Sequence, residues 1–129
     1  MTQEPEDPAV QLAQALFQAC RDGHAESVMA VVEQGAPPNM QDAEGNTMIM
    51  LAAYHGHADL VHALAEHGAD VNLVNDRGQT PLAGAVFKGY DAVARVLVDA
   101  GADPDLGTPT ARDAATMFNR TVDFSPAHR

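Results

Sequence analysis

Four histidines crowd one stretch of the 129-residue chain: His55, His57, His62 and His67, with Asp59 among them. Imidazole and carboxylate are zinc-ligand chemistry, and imidazole also titrates near neutral pH. His55, His57, His62 and Asp59 therefore define one reading, a metal or small-ligand sensor. The spacing argues against it. His62 and His67 are five apart, which on a helix puts them on different faces, and neither Cys-x-x-Cys nor His-Glu-x-x-His occurs. Structural or solvent-facing histidines are the better reading, and no metal site is assigned.

Nucleophilic chemistry fares no better. Ser27 and Ser125 are the only serines, and neither sits in a Gly-x-Ser-x-Gly context. Cys20 and His24 are close in sequence, but both fall at regular positions in a repeat described below. The glycines never form a GxGxxG or GxxxxGK loop, so no cofactor is implied. The carboxylate pairs Glu6-Asp7 and Asp103/Asp105 lie in a tail and a turn, without an apolar pocket to raise a pKa. These residues do not make an enzyme.

What positions them is a period. Gly35-Ala36, Gly68-Ala69 and Gly101-Ala102 recur at a 33-residue interval, as do Gly23-His24, Gly56-His57 and Gly89-Tyr90. Gly45 and Gly78, and Thr47 and Thr80, keep the same register. A fixed period of this length means stacked supersecondary units sharing one core. Each unit opens with a polar turn, Asp42-Ala43-Glu44-Gly45 or Asn75-Asp76-Arg77-Gly78. A short apolar helix follows, Met48 to Ala53 or Pro81 to Val86. Thr47 and Thr80 are placed to cap it, and Pro81 suits the first turn, where no amide donor is needed. Gly56 and Gly89 reverse the chain. A second helix carries one apolar stripe, Leu60, Val61 and Leu64 or Val93, Val96 and Leu97, with Glu26 and Asp59 near helix N-termini. Gly68 and Gly101 end these helices in the left-handed conformation.

This unit resembles the ankyrin repeat, on Gly78-Gln79-Thr80-Pro81-Leu82, Ala52-Ala53-Tyr54-His55-Gly56-His57 and Gly68-Ala69-Asp70-Val71-Asn72. The resemblance covers nearly the whole chain and implies an all-α solenoid. Its units are expected at 9–41, 42–74 and 75–107, with a capping half-repeat at 108–120, together one domain over 8–120. An acidic tail at 1–7 and a second tail at 121–129, anchored only by Phe124, flank it. Asp7 followed by Pro8 reads as a helix cap that starts the first helix early. The family's histidine after Thr-Pro-Leu is Met50 in one unit and Ala83 in the next. A buried threonine–histidine bond is thus implied to be missing, with Met48 and Met50 filling the space and stability expected to be modest.

Composition narrows the function classes. A formal net charge of −11 argues against nucleic acid and suits a protein partner with a basic patch. Cys20, the lone cysteine, aligns with Ala53 and Val86 and reads as a buried structural thiol. The first residues lack the features of a signal peptide and no run approaches membrane-spanning length, so a cytoplasmic location is expected. The chain looks like a small bacterial repeat protein, as a monomer or weakly self-associating.

In the family, contacts come from the hairpin tips and from the two residues before each Gly-His turn. The resemblance therefore implies a non-catalytic protein-binding module with Tyr54, His55, Phe87, Lys88, Leu73, Val74, Arg77 and Glu44 as contact candidates. Tyr54 and Phe87 are either binding anchors or cover for the groove between helices. Met40, Leu73 and Leu106, at successive hairpin tips, either form an exposed ridge or pack on one another, with binding favoured for Leu73 and packing for Leu106. Apolar tips could also meet across a self-associating interface. Asn39, Asn72 and Asp105 read as local turn residues.

Overall fold

The computed structural model describes residues 7–126. It holds seven helices and no strand among the described residues: α1 Pro8–Asp22, α2 Ala25–Glu33, α3 Met48–Tyr54, α4 Ala58–Glu66, α5 Pro81–Lys88, α6 Asp91–Asp99 and α7 Ala111–Met117. The odd-numbered helices pack side by side as one layer, α1 on α3, α3 on α5 and α5 on α7. The even-numbered helices form the second layer, α2 on α4 and α4 on α6, so the core runs between the layers along the stack. None of these helices is long and apolar enough to cross a membrane.

Local chemistry sets the boundaries. The hydroxyls of Thr47, Thr80 and Thr110 accept from the amides of Met50, Ala83 and Asp113 at 3.2, 3.1 and 3.0 Å. Each satisfies a donor that the first helical turn would leave unpaired. The Asp7 carboxylate accepts from the Ala9 amide at 2.8 Å, with Pro8 in the first turn, which is why α1 starts early. The rest of the acidic segment, 1–6, lies outside the described residues, as does 127–129.

Burial follows the apolar pattern. Met48, Ile49, Met50, Leu51, Ala52 and Ala53 are all buried, so α3 is apolar all round because helices surround it. Met48 and Met50 have no exposed surface. The α4 stripe of Leu60, Val61 and Leu64 is buried. On α6 the stripe is Val93, Ala94, Leu97 and Val98, and Val96 sits half-buried at its edge. Ala94, in register with Val61, takes the place expected for Val96. Cys20 is fully buried, and burial pushes its thiol up to about 12, keeping it protonated and inert.

Hydrogen bonds couple one repeat to the next. Asn39 and Asn72 do not close their own turns. Their side-chain oxygens accept from the amides of Asp70 and Asp103, a repeat further on, at 2.7 and 2.8 Å. The local turns are closed by Asp70 and Asp103 themselves, which accept from the Asn72 and Asp105 amides. Asp105 instead accepts from the Arg112 side chain at 2.9 Å. Buried Asn75 donates to the side chains of Asn46 and Gln79 at 2.9 and 2.7 Å, joining adjacent hairpins.

The C-terminal segment folds back. Phe124 and Val122 pack against the core, and the Arg112 guanidinium lies 5.3 Å from the centre of the Phe124 ring. Arg95 on α6 donates to the carbonyls of Asp123, at 3.2 Å, and Ser125.

Candidate functional site

The first-helix layer presents a groove of about 430 Å³ between α3, α5 and α7. Ala83 and Gly84 form its floor. Tyr54, Phe87, Pro109 and Met117 supply its apolar walls, and Arg77, Gln79 and Lys88 its polar rim. Four residues singled out from the sequence, Tyr54, Arg77, Phe87 and Lys88, thus meet in one place. Pro109 and Met117 were missed, because residues 108–120 read in sequence as a cap for the stack and not as a wall of a groove.

The two aromatic rings behave differently. Tyr54 is half-buried and lies over Gly84, where even an added methyl group would overlap the ring. Its hydroxyl donates to the Thr80 carbonyl at 3.2 Å. Burial raises the phenol to about 12, with Arg77 acting in the opposite direction. Phe87 is 49% exposed. Phe118 meets it edge-to-face with centroids 4.7 Å apart, bracing the ring beside the groove. Tyr54 is thus held in place by packing with one side toward the groove, while Phe87 keeps the exposure that an anchor needs.

The other candidates do not line this groove. His55 is exposed, and its pKa is lowered by partial burial first, then by Lys88, His57 and Arg21, against the pull of Asp22. Arg77 and Glu44, both exposed hairpin residues, pair at 3.6 Å. Val74 is 42% exposed. The hairpin leucines depart from expectation: Leu106 is exposed and Leu73 half-buried. Met40 packs against the core, so the three do not form one exposed ridge.

The histidines disperse. The His57 Nε2 is engaged by the Arg21 carbonyl at 2.7 Å, one repeat back. His62 lies 3.9 Å from Glu66, and His67 lies 3.6 Å from Glu33. His55, His57, His62 and Asp59 do not converge, and no group of three or more His, Cys, Asp or Glu among the described residues is arranged to hold a metal. Gly23 explains the Gly-His pairing. At φ 79° it adopts the left-handed turn, and the His57 ring occupies the space a Cβ would need.

No carboxylate, histidine, serine or cysteine lines the groove among the described residues. Comparison with known proteins agrees with that architecture. A stretch of 40 residues is 41% identical to an ankyrin repeat protein of Pseudomonas aeruginosa, covering 31% of this chain and 23% of that relative. The chain therefore spans well under half of the relative's length in that match. A family model described as ankyrin repeats, in three copies, matches residues 16–108. That is most of the chain, which accordingly belongs to the ankyrin repeat family.

Proposed function

We propose that this chain is a non-catalytic, cytoplasmic protein-binding module that docks a partner protein on its first-helix layer and hairpin tips. Ankyrin repeats in general bind other proteins, and the family is typically non-enzymatic. The observation that carries the reading is the groove in which Tyr54, Arg77, Phe87 and Lys88 come together. Phe87 is the central anchor, since an exposed ring already held in place loses little entropy on docking. Lys88 and Arg77 form the polar rim, and His55, Leu73, Val74 and Glu44 are outer contacts.

The test is affinity capture from a native lysate, with wild type beside a Phe87→Ala/Lys88→Glu double variant. Both side chains are exposed, so the variant keeps its circular dichroism spectrum. A protein held by wild type and lost by the variant supports the reading. Equal retention by both overturns the assigned face, and capture by neither counts against the module itself.

A further inference from the structure

The charge of the groove is opposite to that of the molecule. The chain carries a formal net charge of −11, yet the groove is lined by two cations, Arg77 and Lys88, and by no carboxylate. Lys88 is the only lysine in the sequence and forms no ion pair among the described residues. Arg77 is shared with Glu44 across 3.6 Å, an exposed pair that a competing carboxylate can replace at little cost. Arg120 adds a third positive group close by, its Nη2 lying 3.5 Å from the Phe87 carbonyl. Between these charges lies an apolar cavity of about 430 Å³, within the roughly 300–1,000 Å³ typical of ligand sites. Met117, 63% exposed, supplies an adaptable wall.

Resting on the protein-binding reading above, we propose that the groove takes a peptide segment of a partner protein in which a large apolar side chain adjoins an aspartate or glutamate. The apolar side chain fills the cavity lined by Tyr54, Phe87, Pro109 and Met117. The neighbouring carboxylate pairs with Lys88 and draws Arg77 away from Glu44. The net charge alone calls for a basic partner surface, and the groove asks locally for the opposite. Complementary local charge fixes which segment docks and in which register.

Peptide phage display on the immobilised chain tests this, with the Lys88→Glu and Phe87→Ala variants selected in parallel. Wild type is expected to enrich peptides pairing Phe, Leu, Ile or Met with an adjacent Asp or Glu. Synthetic versions should bind at least tenfold more tightly than counterparts with that acid changed to lysine. Lys88→Glu should shift the preference toward lysine or arginine beside the same apolar residue, and Phe87→Ala should abolish enrichment. Enrichment of basic or uncharged peptides, or of acidic ones retained by Lys88→Glu, overturns the proposal. So does binding of free phenylacetate as tight as that of the selected peptide, which would make the groove a small-anion site. If no peptide is enriched but the lysate partner is still lost by the double variant, this inference fails while the module reading stands. If the variant also keeps its lysate partner, this inference and the assigned face both fall.

Discussion

Tyr54 and Phe87 hold the same place in consecutive repeats, yet one ring lies down across the next helix and the other stands out from it. The cause is in the following unit. Tyr54 meets Gly84 on α5, where the missing side chain leaves a bed for the ring. The corresponding position on α7, 33 residues on, is Met117, which lines the same groove as Phe87. A tyrosine also has a hydroxyl to fasten to the Thr80 carbonyl, and phenylalanine has none. How far a repeated aromatic is covered thus follows the size of a residue in the neighbouring unit.

Erasing that difference should have the largest effect. Gly84→Leu places a side chain where the Tyr54 ring lies, forcing the ring out and breaking the α3–α5 contact. The expected loss is about 3 kcal/mol of unfolding free energy by urea titration, at the upper end for overpacking. A loss below about 1 kcal/mol would show that the ring is not held by the glycine.

The reverse exchange, Met117→Gly, gives Phe87 the same bed. Its cost is about 1 kcal/mol from helix propensity, because the methionine buries little of itself. The Phe87 ring should then show nuclear Overhauser contacts to the α7 backbone, and capture of the partner should weaken as the anchor sinks. An unchanged ring position would mean that Phe118, not Met117, keeps it upright.

The smallest effect concerns His55, the residue after Tyr54. Its folded pKa is lowered, so the unfolded chain holds the proton more tightly. Stability from this group is therefore complete above the unfolded value of about 6.5 and falls as pH drops through it. Melting temperature should decline slightly between pH 7.5 and 5.5, and His55→Gln should flatten part of that slope. A steeper slope in the variant would reverse the sign assigned to Lys88 and Arg21.

Much of this arrangement is legible in the sequence. The 33-residue period, the Thr47 and Thr80 caps, the early start at Asp7-Pro8 and the buried Cys20 all follow from local rules that a repeat copies faithfully. The rest depends on what lies across an interface. Tyr54 and Phe87 look alike until Gly84 and Met117 are compared. Asn39 and Asn72 read as local turn residues, but their partners are amides about 31 residues away. Leu106 is exposed and Leu73 half-buried, because Leu73 has another hairpin beyond it and Leu106 has only the short cap. Arg95 gives no hint in sequence that it straps the final segment.

The Asn39 and Asn72 bonds also bear on how such a chain can grow. Each is a repeated coupling, with an acceptor near the end of one unit and a matching amide near the end of the next. A duplicated block of 33 residues inserted between them finds both halves of the coupling already made, so lengthening the array there demands no new chemistry. After the third unit the same register carries Asp105, whose carboxylate is committed to Arg112 in the cap. Insertion there would separate that pair. The coupling thus tolerates a further unit between the second and third repeats, and the Asp105–Arg112 pair does not tolerate one between Asp105 and α7.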